Sequence, residues 1–335
     1  MTLLNHELAP PHWWLPGGNA QTIWPALFGR THLGAPPATQ RTRWFTPDGD
    51  FIDVDRWLPA ADPAAPVLVL FHGLEGAVSS HYAQAFATLA QRSGWGFVLP
   101  HFRGCSGECN WAPRAYHSGD HEEIGWMLGT VAREHPGRKL VACGISLGGN
   151  ALLRWAEEAG SAAGQTVQAV AAVSSPVDLA AAGQAIDRGW NRQVYARMFL
   201  RTMVRKARRK WAQFPGLFDL EAVLKARTIA AFDDAFTAPL HGFAGVQDYW
   251  LRASAKAALR SVRIPALLLN ARNDPFVPAW SLPQPDQVGD CVTLWQPAHG
   301  GHCGFPSVSG PLDIRGHVFA MPEAVMAWLK SAGGL

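Results

Sequence analysis

Six short apolar runs, Val67 to Phe71, Gly96 to Leu99, Leu140 to Ala142, Val167 to Val173, Ala266 to Leu269 and Val292 to Trp295, are separated by stretches long enough to hold crossover helices. Such runs are apolar with few breaks instead of alternating, which predicts strands buried on both faces. Strands of that kind, joined through helices, form a mostly parallel sheet covered on both sides. Helices are expected over Ser80 to Gln91, Asp120 to Glu134, Asn150 to Glu158 and Pro322 to Lys330. Ahead of them, Arg41 to Phe45 and Phe51 to Trp57 flank the turn signal Pro47-Asp48-Gly49 and read as a hairpin. Residues 1–40 hold Pro10-Pro11, Pro16-Gly17-Gly18 and Pro36-Pro37 around Trp13, Trp14 and Trp24, so an irregular arm packed on the core is expected.

One interval breaks the rhythm. About 80 residues, 178–255, separate two strand candidates that an ordinary crossover would join in a few tens. This stretch reads as an inserted helical lid, leaving 1–177 and 256–335 as the core. Within it Val194, Met198, Leu200, Val204, Ala207 and Trp211 recur at helical spacing, while Arg197, Arg201, Arg205 and Arg209 form an i, i+4 stripe on another face. The segment carries 12 Lys and Arg against 7 Asp and Glu, a net +5, so the rest of the chain is −2 within a total of +3. A basic amphipathic helix can lie on anionic lipid or attract an acidic substrate, and is otherwise a solvated face.

The small overall charge, with no basic tail, zinc-finger spacing or aromatic RNA motif, argues against nucleic acid as a partner. No apolar run approaches the roughly 18 residues a membrane span needs, and Met1 to Gly18 lacks the pattern of a secretory leader. Five cysteines in 335 residues are an odd number and do not suggest a disulfide framework, so a cytoplasmic chain with reduced thiols is expected.

The chemistry enters at Gly144-Ile145-Ser146-Leu147-Gly148. This Gly-x-Ser-x-Gly segment follows an apolar strand run directly and precedes a helix directly. A strand running into a helix without a loop forces the serine into an unfavourable conformation and needs small neighbours, so Ser146 is the candidate nucleophile. A serine hydroxyl also needs a base, a group to orient the base, and donors for a developing oxyanion. In the chain order serine, acid, histidine, Asp274 follows the strand run Ala266 to Leu269, and His302 lies in the glycine-rich stretch Ala298 to Gly304. Asp178 and His299 are the rival acid and base, and Asp178 fits equally well as a helix N-cap. The oxyanion donors are expected to be the backbone N–H groups of Leu147 and of Leu74, the latter within His72-Gly73-Leu74-Glu75-Gly76. His117, Asp120, His121, Glu122 and Glu123 hold metal-ligand chemistry, but the acids read as the first turn of a helix. Cys105 and Cys109 lack a second pair at zinc spacing, and no elbow presents Cys303. Neither a metal nor an organic cofactor is implied.

Taken with His101 to Glu108, Tyr116 to Asp120, the arm segment Gln21 to Pro25 and Phe232 to Ala238, these motifs resemble the YheT-like branch of the α/β-hydrolases over nearly the whole chain. The resemblance implies an α/β-hydrolase fold and a serine carboxylesterase with Ser146, Asp274 and His302 as nucleophile, acid and base. Its substrate would be a small ester, and the tryptophans of arm and lid suggest an apolar acyl part. A thioesterase or amidase with the same triad, or a non-catalytic binding module on the same fold, are the alternatives. Two positions depart from the branch: Asn273 replaces an acidic residue before the triad aspartate, and Asn19 replaces a histidine of the arm.

Overall fold

The computed structural model describes residues 2–8, 13–60, 62–308, 313 and 316–335; Pro10-Pro11 lies outside them. The apolar runs become strands, and the chain forms β1 (Thr2–Leu4), β2 (Gln40–Phe45), β3 (Phe51–Trp57), β4 (Val67–Phe71), β5 (Gly96–Pro100), β6 (Leu140–Ile145), β7 (Ala169–Val173), β8 (Ala266–Leu269) and β9 (Val292–Trp295). They make one sheet in the order β1-β9-β8-β7-β6-β4-β5-β3-β2. Only the pairings of β3, with β2 and with β5, are antiparallel. Every residue of β4 to β8 is buried, which is why these strands read as continuous apolar runs.

The two-residue period of a strand divides the core into two layers. Val67, Val69 and Phe71 pack on one face with Ile124, Met127 and Leu128 of α3 (His121–Glu134) and with Leu152 of α4 (Leu147–Ala159). Leu68 and Leu70 point the other way, toward Phe86 of α2 (His81–Arg92) and toward Val325 and Leu329 of α12 (Ala320–Ala332). Fully burying each such side chain contributes roughly 1.5–3 kcal/mol, so the sheet and its helices form a rigid platform. The carboxyl ends of β4, β6, β8 and β9 lead directly into the segments that carry the candidate residues.

The arm carries more regular structure than its prolines and glycines suggest. β1 extends the sheet beside β9, and α1 (Gly17–Phe28) starts just after Pro16. Between β7 and β8 the chain forms α5 (Leu179–Ile186), α6 (Gly189–Asn191), α7 (Arg197–Gln213), α8 (Leu220–Lys225), α9 (Ile229–Phe232), α10 (Ala238–Leu240) and α11 (Val246–Ala253). Asp178, Asp219 and Thr228 cap α5, α8 and α9 by accepting from Ala181, Ala222 and Ala231 amides. These helices share a core of Leu200, Met203, Ala207, Phe218, Val223, Phe232 and Phe236. The buried face of α7 therefore differs from the expected one: Met203 is buried, whereas Met198 is 53% exposed and Val194, in the π-helical turn Arg192–Ala196, is 37% exposed. That π turn ahead of α7 shifts the phase of the helix, so a uniform 3.6-residue period does not carry across it. Among the described residues no helix is long and apolar enough to cross a membrane.

Candidate active site

β6 ends at Ile145 and α4 begins at Leu147, so Ser146 alone makes the turn, at φ 53° and ψ −120°. The flanking glycines allow it. A Cβ on Gly144 would lie 2.4 Å from the Gly148 carbonyl oxygen, and one on Gly148 would lie 2.5 Å from that of His72. A side chain on Gly144 would push α4 off β6, and one on Gly148 would push α4 away from the end of β4.

His302 Nε2 stands 3.0 Å from Ser146 Oγ, and His302 Nδ1 stands 2.8 Å from Asp274 Oδ2. A carboxylate only accepts, so Nδ1 carries a proton, and in the neutral imidazole Nε2 turns its lone pair toward the hydroxyl. Asp274 Oδ1 accepts from the amides of Phe276 at 2.7 Å and Val277 at 3.2 Å, which fixes a side chain wholly removed from solvent. Burial disfavours a charged imidazole at His302, but the Asp274 carboxylate outweighs it and holds His302 above the usual histidine range. The Phe276 ring, 4.3 Å from the imidazole between centroids, covers it further.

The loop after β4 lies over the elbow, with the Gly73 position 3.2 Å from Ser146 Cβ if a Cβ is placed on the glycine. Two tyrosines pin this loop. Tyr82 OH accepts from Gly73 N at 3.0 Å, while Tyr116 OH accepts from Glu75 N at 3.0 Å and donates to Glu75 Oε1 at 2.8 Å. Glu75 takes φ 57°, a left-handed conformation that these bonds sustain. His72 donates from Nδ1 to Gly73 O and accepts at Nε2 from Phe102 N; burial keeps it neutral, with its pKa pushed down to about 3. Leu74 and Leu147 border the same cavity as Ser146 and His302. Leu147 is the first residue of α4, where helix amides have no intrahelical acceptor and favour an anion.

The rival residues stand elsewhere. His299 is half exposed and faces Glu7, 3.6 Å away. Asp178 caps α5 and lies 3.5 Å from Lys256. Cys303 is buried, its amide donating to Ser174 Oγ and its carbonyl facing His81 Nε2. Of the possible metal ligands, His117 stacks against His241, Asp120 pairs with Arg114, and Glu123 pairs with buried Arg103.

Sequence reasoning missed what the arm does. Thr22 Oγ1 accepts from His302 N at 2.8 Å and donates to Gly18 O at 2.7 Å. Gln21 Oε1 accepts from Gly300 N and from Asn273 Nδ2, both at 2.9 Å, and Asn273 Oδ1 accepts from Gly301 N at 3.0 Å. Thus α1 stitches the loop bearing His302 to the loop bearing Asp274. Asn273 uses both its donor and its acceptor here, which an aspartate could not do. Asn19 accepts from Tyr195 OH at 3.0 Å and so ties the arm to the helices between β7 and β8. The motif Gln21 to Pro25 was the available signal, but nothing local said what it would touch.

Behind the serine opens a cavity of about 400 Å³, walled by Phe199, Phe232, Phe236, Trp250, Ile186 and Leu179 of the segment between β7 and β8. The arrangement offers a hydroxyl beside a base, a second face of amides, and an apolar volume next to both.

Residues 66–307 match the family model described as alpha/beta hydrolase fold. The chain is 40% identical over 289 residues to the Escherichia coli protein named "Putative esterase YheT", covering 85% of this chain and 83% of that one. It is 30% identical over 282 residues to mouse "Phospholipase ABHD3", covering 81% and 67%. Among solved structures, ferulic acid-bound Est1E from Butyrivibrio proteoclasticus superposes with a TM-score of 0.55 at 15% identity, over 88% of this chain and 100% of that one, a likeness of fold.

Proposed function

Because the chain belongs to the α/β-hydrolase fold family, in its YheT-like branch, we propose that it cleaves carboxylic esters through an acyl-enzyme on Ser146. His302 Nε2 takes the hydroxyl proton as Oγ attacks the ester carbonyl, and the Leu74 and Leu147 amides hold the oxyanion of the tetrahedral intermediate. The imidazolium then gives its proton to the departing alkoxide, and the alcohol leaves. Water, deprotonated by the same nitrogen, attacks the acyl-enzyme and releases the acid, and Ser146 recovers its proton. Asp274 keeps the imidazole in the tautomer that presents a lone pair to Ser146 and stabilises its charged form. Residues 178–255 act in this reading as a lid whose aromatic wall receives the acyl chain.

The observation that carries the reading is the continuous relay of 2.8 Å and 3.0 Å from Asp274 through His302 to Ser146. The test is fluorophosphonate labelling together with turnover of p-nitrophenyl esters, thioesters and amides. Wild type should label and should favour esters in kcat/KM. Ser146→Ala should do neither above the buffer rate. Labelling that survives in Ser146→Ala, or a wild type inert toward label and esters alike, rules the reading out.

A further inference from the structure

The wall that α7 gives to the cavity changes character along its length. Phe199 and Met203 line the cavity, and Phe199 does so near the base, since it packs edge-on against Phe276 at 6.1 Å and Phe276 covers His302. Farther along the same helix, Arg205, Lys206, Arg209 and Lys210 line the same cavity. At 1.5 Å of rise per residue, Arg209 lies about 15 Å along the axis from Phe199. The wall is thus apolar beside the reacting groups and cationic at a distance.

The acids bordering the cavity are already matched. Glu75 pairs with Lys206 at 2.7 Å, Glu108 pairs with Arg43 at 2.6 Å, and Asp233 accepts from Thr237 and Trp250. Arg103 is taken by Asp48, Asp50 and Glu123. Lys210 donates to the Asn110 and Ala112 carbonyls, at 2.7 and 2.8 Å, and not to a carboxylate. Arg205 donates only to its own helix, at Arg201 O, and no carboxylate lies within ion-pair distance of Arg205 or Arg209 among the described residues. Arg197 and Arg201, which continue the stripe, do not border the cavity. A cleft with apolar walls and uncompensated cations concentrates anions, and a guanidinium matches carboxylate or phosphate in two-pronged fashion.

We propose that the cavity takes amphiphilic esters bearing an anionic group, a carboxylate or a phosphate, with the apolar part beside Phe199 and Phe276 and the anion at Arg205 and Arg209. The proposal rests on the ester-hydrolase reading of Ser146 and names its substrate class. The anion sits either at the far end of the acyl chain or on the alcohol.

Two substrate pairs separate these sources. The acyl arm compares p-nitrophenyl monoesters of octanedioic and dodecanedioic acids with the octanoate and dodecanoate esters. The alcohol arm compares 1-octanoylglycerol 3-phosphate with 1-octanoylglycerol. At low ionic strength the anionic member of at least one arm should show a kcat/KM at least tenfold higher. The preference should shrink with added salt, vanish in Arg205→Gln/Arg209→Gln, and persist in Arg197→Gln/Arg201→Gln, which removes equal charge outside the cavity. Binding of octyl phosphate and octanol to Ser146→Ala gives a readout free of turnover, and the phosphate should bind at least tenfold tighter. Parity in both arms while neutral esters are still cleaved overturns the anion site and leaves the esterase reading standing, and so does equal loss in the two double variants. If no ester is cleaved yet octyl phosphate binds tightly through Arg205 and Arg209, the anion site holds and the esterase reading falls.

Discussion

At Ser146 the backbone sits in a region that costs an ordinary residue roughly 1–3 kcal/mol, and it stays there because its neighbours leave no other path. Gly144 and Gly148 approach the backbone so closely that a methyl group must displace β4 or α4. Gly148→Ala should therefore destabilise the fold by about 1–3 kcal/mol, the usual range for overpacking, and should lower fluorophosphonate labelling in step. A Gly148→Ala protein with unchanged melting and labelling would contradict the close packing. A second expectation concerns charge. If His302 is the base it acts only when neutral, and Asp274 raises its pKa, so kcat/KM should fall with acid through a midpoint above the usual 6.5. In Asp274→Asn the residual activity should be orders of magnitude lower and its acid limb displaced to lower pH, which a pH profile of both proteins reads directly. That Ser146, Asp274 and His302 come together was legible in the sequence, because each follows a recognisable strand at a recognisable turn. His302 was preferred to His299 from its place in the glycine-rich loop, and in the fold His302 faces Ser146 and Asp274 while His299 faces Glu7.

Elements show where local pattern stops being sufficient. β4 to β8 could be read as strands because burial on both faces writes itself into every position. The buried face of α7 could not, because the π turn before it puts Val194 out of phase with Leu200 and Ala207, and because Lys210, a charged residue, is buried through its bonds to two carbonyls. In α4 a similar conflict yields a measurement. Glu157 has a buried side chain whose Oε1 finds no partner, although Arg154 holds Oε2 at 2.6 Å. Burial pushes its carboxyl up from 4.5 to about 8, against the pull of Arg154. An acid whose folded pKa exceeds its unfolded one favours the fold fully below about 4.5 and loses that advantage as pH rises toward 8. Glu157→Gln keeps the shape without the charge, so its melting temperature relative to wild type should climb between pH 5 and pH 9, by at least about 2 °C. A difference that is flat across this range would mean Arg154 compensates the carboxylate fully.

For the whole molecule, the decisive bonds join parts of the chain that no window of sequence contains. Gln21 meets Asn273 across 252 positions, and Thr22 meets His302 across 280. The prolines and glycines of residues 1–40 record only that the arm turns often. They do not record that its helix ends up between the acid loop and the histidine loop, so the arm read as packing when it is a clamp. β1 beside β9 and Glu7 against the amides of Ala298 and His299 anchor the same clamp from the sheet edge. If the clamp sets the imidazole, Thr22→Val leaves the His302 amide without its acceptor, at a cost of about 1–3 kcal/mol. Part of that cost should appear as misplacement of the base instead of unfolding. We expect kcat for p-nitrophenyl esters to fall about tenfold or more with KM nearly constant, because the apolar cavity is untouched and each 1.4 kcal/mol of barrier is a factor of ten. Thr22→Ser keeps the hydroxyl and should restore kcat, whereas a purely structural role would show as equal melting losses in both variants with kcat following stability. A Thr22→Val enzyme with wild-type kcat would return the arm to passive packing and leave the histidine loop held by its other bonds, to Gln21, Asn273, Glu7 and Ser174.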